Sequence, residues 1–479
     1  MSTRRDFLTA GAALLGGASL LRAQPARAAE PYDPEAQGPP DTRARYEAPW
    51  QESYSGGSLD VAPLAPGLPD RDYRPVAVPN GGKAPFRIVD GVKVFHLVVS
   101  EIEHTFAPGL TATCWAYNGY VAGYTIEAVE GERVRVYVTN RLRAATSVHW
   151  HGIYLPPGMD GVAGLTQRAI PPGETFRYEW TLRQHGTFMF HSHHDSMTQE
   201  AMGLTGMLVV HPRNPSPEHR VERDFSIMLG EFAIQVGTSR PDPVEDRSFN
   251  VLTFNGKAFP GTEPLVVKTR DRVRIRYGNL SAMDHHPIHL HGYHFRVTAT
   301  DGAPIPLSAQ WPETSVLVGV GQTRDVQFVA DAPGDWIFHC HMSHHMMNQM
   351  GHDWPNMVGV DLGDLEPRLR SLLPGYMTMG TTGMEDMGDM GKMSDTGETS
   401  DTGDMEAHRE HMPIPPNSIP MKGAQGPFGL ITMGGLVNIL KVRDRLASYD
   451  ADPGWYEHPE GTVAQLAAAE ELRRDGIAV

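Results

Sequence analysis

A single stretch of the chain holds the residues best suited to chemistry. It reads HCHMSHHMMNQM over residues 339–350 and contains Cys340, one of two cysteines, with a histidine on each side. His345 follows this cysteine by five residues and Met350 by ten. One thiolate, two imidazoles and a weak axial thioether are the ligands of a blue copper centre. Cys340, His345 and Met350 therefore predict three of those four ligands, on one strand and the loop after it.

The two histidines beside Cys340 predict a second metal site. Neighbouring side chains on a β-strand point to opposite faces. If Cys340 faces a blue copper, His339 and His341 face away from it, towards further metal joined to the first site through a single residue. A His-rich loop that binds zinc, or no metal, is the alternative. It explains neither the cysteine between two histidines nor the spaced methionine.

Three other segments are rich in histidine at the spacing of metal ligands. They read HWHG at 149–152, HSHH at 191–194 and HPIHLHG at 286–292. One His-X-His pair is common on an exposed strand, but four, one of them interrupted by cysteine, are not. With all four segments in this order, residues 95–362 resemble the multicopper oxidases, the family of laccase, ascorbate oxidase and bilirubin oxidase.

The resemblance implies four coppers: one of type 1, one of type 2 and a type 3 pair. It implies that His286, Cys340 and His345 bind the type 1 copper, with Met350 as axial ligand. It places His149 and His289 on the type 2 copper. The ligands implied for the type 3 pair are His151, His191, His193, His291, His339 and His341.

Catalytic roles are expected for Cys340, in electron transfer, and for Asp160. Asp160 lies nine residues after His151 and matches the position of an acid that the family keeps near the type 2 copper. Such groups orient ligands and tune bound water. Several bacterial members carry an acid directly after the second blue-copper histidine, where this chain has Met346. The resemblance therefore does not supply a proton route to oxygen.

Composition and the first residues suggest partners and compartment. The net charge of −16 argues against nucleic acid as a partner. With Cys340 assigned to copper, Cys114 has no cysteine partner, and we expect a buried thiol there. Residues 1–29 combine a pair of arginines, a short apolar run and a small-residue cleavage site, which is typical of a twin-arginine export signal. We expect a periplasmic or secreted protein that has no membrane span.

The chain repeats one β unit, which predicts its architecture. A strand at 132–136 leads into HWHG and a similar strand at 271–275 leads into HLHG, while 186–191 parallels 334–339. Short alternating strands predict Greek-key sandwiches, and the resemblance makes them cupredoxin-like. We expect an all-β fold with an arm at 30–85, domains at 86–215 and 222–365, and an extension at 423–479 that packs back and ends in a helix at 463–474. Ser192 stands where the second copy has Cys340, so only the second domain can carry a blue copper.

Residues 374–422 form an acidic, low-complexity segment with eight methionines between Met377 and Met412. Thioether sulfur suits Cu(I), so the segment either captures copper or is a solvated linker of biased composition. Both interpretations stay open.

The predicted function is one-electron oxidation of a phenol or a metal ion such as Cu(I), coupled to four-electron reduction of O2 to water. Only 92 residues separate His193 from His286, which leaves no room for a middle domain and favours a two-domain, small-laccase-type protein. The resemblance then implies a homotrimer with three-copper clusters at subunit interfaces. The alternatives are a copper-sequestering protein of copper resistance and a copper nitrite reductase. The nitrite reductase, however, carries its type 1 copper in the first domain.

Overall fold

The computed structural model describes residues 62–235, 237–348, 368, 371, 417–419 and 424–478. The predicted export signal, Met350 and residues 374–416 of the methionine-rich segment lie outside them. The described chain is built almost entirely of β-strands, as predicted, and folds into two sandwiches.

The first sandwich has two facing sheets. One sheet has the order β1 (Gly82–Lys83), β5 (Tyr124–Val129), β10 (Thr205–His211), β9 (Gly186–His191) and β7 (His149–His151). The other has the order β2 (Phe86–Val89), β3 (Val92–Ala107), β6 (Arg133–Asn140) and β8 (Thr175–Thr181), with β4 (Leu110–Tyr117) paired to β3. Every second residue of β6 is buried, because one face of the sheet packs on the core and the other meets solvent. Trp150, Trp180 and Phe190 are among the side chains of that core.

The second sandwich repeats this plan. One sheet has the order β12 (Val251–Phe254), β11 (Arg223–Phe232), β14 (Arg272–Asn279), β20 (Thr323–Val329), β16 (Phe295–Thr300) and β17 (Ala303–Pro304), with β18 (Trp311–Glu313) paired to β16. The other has the order β13 (Leu265–Lys268), β24 (Val437–Arg443), β21 (Gly334–Cys340), β15 (His286–Leu290) and β19 (Ser315–Val318). Cys340 belongs to the buried core between these sheets.

The strand β24 comes from far outside the domain range suggested by the sequence. It pairs parallel with β13 and antiparallel with β21, where His339 lies opposite Val437. The domain bounds predicted from the sequence end at 365 and leave these residues in a C-terminal extension. In the structure they form an internal strand of the sheet that carries Cys340. A small hairpin of β22 (Gln425–Gly426) and β23 (Gly429–Leu430) precedes this strand.

Helices are few in the described part of the chain. Those with described bounds are α1 (Ser196–Ala201) and α2 (Ala469–Arg474), with short 3-10 turns at Pro157–Met159, Pro217–His219, Leu307–Ala309 and Ser343–Met346. The predicted terminal helix at 463–474 is thus present only in its second half. No helix among the described residues is long and apolar enough to cross a membrane.

A buried ionic network joins the two sandwiches. Arg276 of β14 pairs with Asp224 at 2.8 Å and with Asp325 at 3.1 Å, and it donates a hydrogen bond to Thr187 of the first sandwich. Thr187 in turn donates to Asp325 at 2.7 Å. All four side chains are buried. Residues 62–85, predicted as an arm, also lie across the junction: Ala77 pairs with Phe225, and the Val76 amide donates to Glu127.

Candidate metal centres

The first centre is built around Cys340 at the end of β21. His286 begins β15 and His345 lies in the 3-10 turn that follows Cys340. The Cys340 Sγ is 3.8 Å from Nδ1 of His286 and 3.5 Å from Nδ1 of His345, and the two imidazole nitrogens are 3.1 Å apart. All three side chains are buried. One soft sulfur and two imidazoles that converge in this way fit a copper ion.

Burial sets the protonation of this group. Burial raises the pKa of the Cys340 thiol to about 12 and lowers the pKa of His286 to about 3. Neutral imidazole is the form that binds metal, whereas the thiol must lose its proton when metal binds. Copper binding at this centre is therefore expected to release a proton.

The outer nitrogens of the two imidazoles are held by side chains that sequence reasoning missed. The Ser281 hydroxyl lies 2.8 Å from Nε2 of His286, and the Asp284 carboxylate lies 3.3 Å from Nε2 of His345. Partners of this kind fix the orientation of a ligating ring. Behind Asp284, the backbone amides of Met283 and Asp284 both donate to the buried carboxyl of Glu231. Burial and the nearby Asp284 raise the pKa of Glu231 to about 8.

Four histidines of the first sandwich form a second cluster. His149 lies at its centre, with ring centroids 5.7, 5.3 and 5.4 Å from those of His151, His191 and His193. Its Nδ1 donates to the carbonyl of Asp160 at 2.8 Å, and His191 Nδ1 donates to the carbonyl of Ser192 at 2.9 Å. These bonds leave Nε2 of both rings for metal. Burial lowers the pKa of His149, and burial with the adjacent His191 lowers that of His151 to about 4.

Four histidines of the second sandwich repeat this arrangement. His289 lies at the centre, 4.9, 5.7 and 5.5 Å from the ring centroids of His291, His339 and His341. Its Nδ1 donates to the carbonyl of Thr314 at 2.7 Å. His339 Nδ1 donates to the carbonyl of Cys340 at 2.8 Å, as His191 does to Ser192.

The strand register explains why the two clusters match. His149 lies opposite His191 in the first sandwich, and His289 lies opposite His339 in the second. Alternation along β21 then places Cys340 in the core and His339 on the other face. His341 lies just beyond the strand, with its ring centroid 5.6 Å from that of His339. The sequence prediction of two oppositely facing sites around one cysteine has its counterpart in this geometry.

The two four-histidine clusters of one chain do not touch each other. The ring contacts of these eight residues, all within the described chain, run only within each cluster. His291 and His341 are moreover exposed.

Ser192 occupies in the first sandwich the place that Cys340 has in the second, and it lies in a buried polar triad. The hydroxyls of Ser192 and Thr146 both donate to Oε1 of Gln199, at 2.6 and 2.7 Å. Thr146 precedes His149 by three residues, as His286 precedes His289. All three side chains of this triad are at most 1% exposed. Hydrogen bonds thus fill the position of a second thiolate site.

The remaining predicted residues are placed as follows. Asp160 Oδ1 lies 3.3 Å from Nδ1 of His149, behind the ring. Glu200, which the sequence analysis did not consider, lies 3.1 Å from Nδ1 of His191. Although burial lowers the pKa of His191, the carboxylate of Glu200 outweighs it and the pKa is raised. Cys114 is fully buried, as expected, and burial raises its pKa to about 12.

Comparisons with known proteins show that the chain is similar to multicopper oxidases. Two family models, both described as multicopper oxidase, match residues 98–215 and 234–359. Copper resistance protein A of Pseudomonas syringae pv. tomato is 31% identical over 46% of this chain and 43% of its own length. Laccase-2 of Botryotinia fuckeliana is 30% identical over 48% of this chain and 42% of its own. The chain thus spans less than half the length of these curated relatives. It covers 96% of the solved multicopper oxidase mgLAC, at 30% identity and a TM-score of 0.50 over 62% of this chain.

Proposed function

This chain belongs to the multicopper oxidases, and from that premise we propose how its residues share the work. Cys340, His286 and His345, with Met350, hold the type 1 copper that accepts electrons from a donor. His149 and His289 hold the type 2 copper, and the other six clustered histidines hold the type 3 pair. The observation that carries this proposal is that Cys340 belongs to a buried thiolate site while its neighbour His339 belongs to a four-histidine cluster.

The bound coppers supply one-electron transfer at the thiolate and four-electron reduction of O2 to water at the cluster. The chain contributes the connection between the two sites, because Cys340 is bonded through the backbone to His339 and His341. It also contributes a dry environment: Cys340 and His286 are fully buried, so water does not reach the thiolate. Asp160 is proposed to orient His149 at the type 2 position.

The two cysteines provide the test. Copper-loaded protein is expected to be intensely blue, and Cys340→Ser should be colourless while it keeps the copper of the histidine clusters. Cys114→Ser is the matched control, since it removes an equally buried thiol from a position without ligand neighbours. A blue Cys340→Ser protein, or a colourless Cys114→Ser protein, would contradict the assignment.

The competing functions fit these residues less well. A copper nitrite reductase carries its type 1 copper in the first domain, where this chain has the Thr146, Ser192 and Gln199 triad. A copper-sequestering protein needs neither the thiolate core site nor two matched four-histidine clusters. Consumption of O2 with a phenol or with Cu(I) separates an oxidase from both.

We propose that the active protein is a homotrimer in which clusters from neighbouring subunits complete each other. The separate clusters within one chain and the exposure of His291 and His341 support this proposal. Contact between the first sandwich of one subunit and the second of the next is head to tail, so it must close into a ring or grow into a fibre. Three subunits would give three clusters at the boundaries.

Mixing two inactive variants tests the shared site. His149→Ala and His339→Ala each damage one cluster, so a mixed trimer contains some boundaries at which two intact clusters meet. Recovered O2 reduction in the mixture is the expected result. A fully active monomer in sedimentation, or no recovery in mixed trimers, would overturn the proposal.

The donor and the compartment are further proposals. We propose export by the twin-arginine route to the periplasm or the exterior, and a role in copper tolerance, as the name of the copper resistance relative suggests.

The methionine-rich segment is proposed to deliver Cu(I). Residues 417–419 dock on the first sandwich, with Ile419 in the core, so the deletion that tests this should stop at 416. Deleting 374–416, or changing its eight methionines to leucine, should lower Cu(I) oxidation and spare phenol oxidation. Equal effects on both donors would favour a plain linker.

A further inference from the structure

The backbone of residues 434–436 pairs with the loop that carries the proposed copper ligands Cys340 and His345, although the two segments lie far apart along the chain. The Leu436 amide donates to the carbonyl of His345 at 2.9 Å, and the Cys340 amide donates to the carbonyl of Leu436 at 3.0 Å. The Gly434 amide donates to the carbonyl of Met346 at 2.8 Å. Residues 434–436 therefore hold the ligand loop at Cys340, His345 and Met346.

Asn348 locks this pairing from the other end of the loop. Its side-chain oxygen accepts a hydrogen bond from the Gly435 amide at 2.8 Å, and its side-chain nitrogen donates to the carbonyl of Phe259 at 2.8 Å. The Phe259 amide donates to the carbonyl of Gly435 at 3.0 Å. Asn348 is 1% exposed, so water cannot replace these bonds without opening the structure.

Gly435 shows how closely the returning backbone approaches the ligand loop. Its φ is +60°, in the left-handed region that favours glycine. A Cβ at this position would lie 2.4 Å from the carbonyl oxygen of His345. The backbone of residue 435 is thus in direct contact with the backbone of the ligand, and no side chain fits between them.

The ligand loop has an exposed outer face and a buried inner side. Residues 341–344 are exposed, whereas His345 and Asn348 are buried. On the inner side, Phe259, Val437 and Ile439 form an apolar cluster against which Met346 packs. Within the described residues, the backbone of His345 is held by Leu436 and by the turn bond to Met342.

We propose that Asn348 and residues 434–436 form a clamp that positions His345 for copper, and that Asn348 is its positioning residue. That His345 binds copper is taken from the proposed function. The clamp makes the C-terminal strand part of the electron-entry site, although a long stretch of chain separates that strand from Cys340. Loss of the clamp's hydrogen bonds should disturb the thiolate site and leave the histidine clusters intact.

The first test uses copper-free protein and hydrogen exchange at single amides. In wild type, the amides of Leu436 and Cys340 should be protected. In Asn348→Ala, two buried hydrogen bonds are lost, so exchange at both amides should rise by about tenfold or more. The matched control is Asn438→Ala in β24, which removes a similarly buried side-chain amide with two hydrogen bonds, to Glu263 and Ile439. It should leave exchange at the Leu436 amide unchanged.

The second test follows the blue absorption band of copper-loaded protein. Asn348→Ala should shift or weaken this band and change the reduction potential of the type 1 copper, while the histidine clusters keep their full copper content. Asn438→Ala should change neither the band nor the potential. Unprotected Leu436 and Cys340 amides in wild type, or equal effects of the two variants, would overturn the clamp. If wild type is never blue but the exchange pattern holds, the proposed copper assignment fails and the clamp stands. If Asn348→Ala does not fold, the wild-type exchange alone decides.

Discussion

Removing the carboxylate of Asp224 tests the ionic network that fixes one sandwich against the other. Asp224 is 4% exposed and accepts from Arg274 at 3.1 Å and from Arg276 at 2.8 and 2.9 Å. Asp224→Asn keeps the shape of the side chain and leaves two buried guanidinium groups with Asp325 as the remaining acid of the network. Breaking a buried ion pair by removing one partner costs about 3–5 kcal/mol. That is a large share of the roughly 5–15 kcal/mol that stabilises a domain.

A pair on the same strand supplies the control. Arg272 of β14 pairs with Glu222 at 2.9 Å, but these side chains are 47% and 41% exposed. Solvent screens such a pair, so Glu222→Gln should cost about 0–1 kcal/mol. Urea unfolding of copper-free protein measures both losses. Equal, small losses would mean that the Asp224 network is solvated and does not hold the junction.

The pH dependence of this network has a definite sign. Burial alone would raise the pKa of Asp224, but the charges of Arg276 and Arg274 outweigh it and the pKa lies below the usual range. The stabilisation is therefore present above the ordinary carboxyl pKa and is lost as the pH falls through the depressed value. Asp224→Asn and wild type should differ fully at pH 7, and the difference should shrink only in strong acid.

Three further predictions concern groups beside the proposed copper ligands. Asp160→Asn should lower O2 reduction by about 10–100-fold while the blue band stays unchanged, and loss of that band would contradict its placement at His149. Glu200→Gln removes the carboxylate beside His191 and should weaken copper binding to the first cluster by a similar factor, measured by competition with a chelator; unchanged affinity would argue against the contact. Burial keeps Glu231 protonated up to a pKa of about 8, whereas the unfolded chain loses that proton near the ordinary carboxyl pKa. Stability should therefore fall as the pH rises through this window, and Glu231→Gln should abolish that slope in urea unfolding at pH 5, 7 and 9.

Much of the candidate site followed from the sequence because it depends on local rules. Strand alternation is sufficient to place Cys340 and its two neighbouring histidines on opposite faces. The repeat is sufficient to predict that His149 and His289 take the same position in two sandwiches. Residue types that bind metal are also few, so four segments rich in them restrict the possible chemistry.

The parts that the sequence did not predict depend on contacts between distant residues. Nothing in the local pattern of 437–443 indicates that this strand pairs with β21 across the low-complexity segment. The roles of Asp284 and Asn348 likewise depend on which backbone groups lie nearby after folding. The predicted helix at 463–474 was too long because its first half has no packing partner: Leu466 is 98% exposed. An isolated short helix is marginal without a buried face.

The triad of Thr146, Ser192 and Gln199 affects how many times an electron donor must bind for each molecule of O2 that is reduced. Hydrogen bonds to Gln199 fill the place where a second thiolate site would stand in the first sandwich. On the proposed assignment, each cluster is served by Cys340 alone. One molecule of O2 needs four electrons, and these must arrive one after another at the same surface. An oxidised donor must therefore dissociate before the second, third and fourth electron transfers. A donor that dissociates slowly would limit turnover even if electrons moved quickly inside the protein.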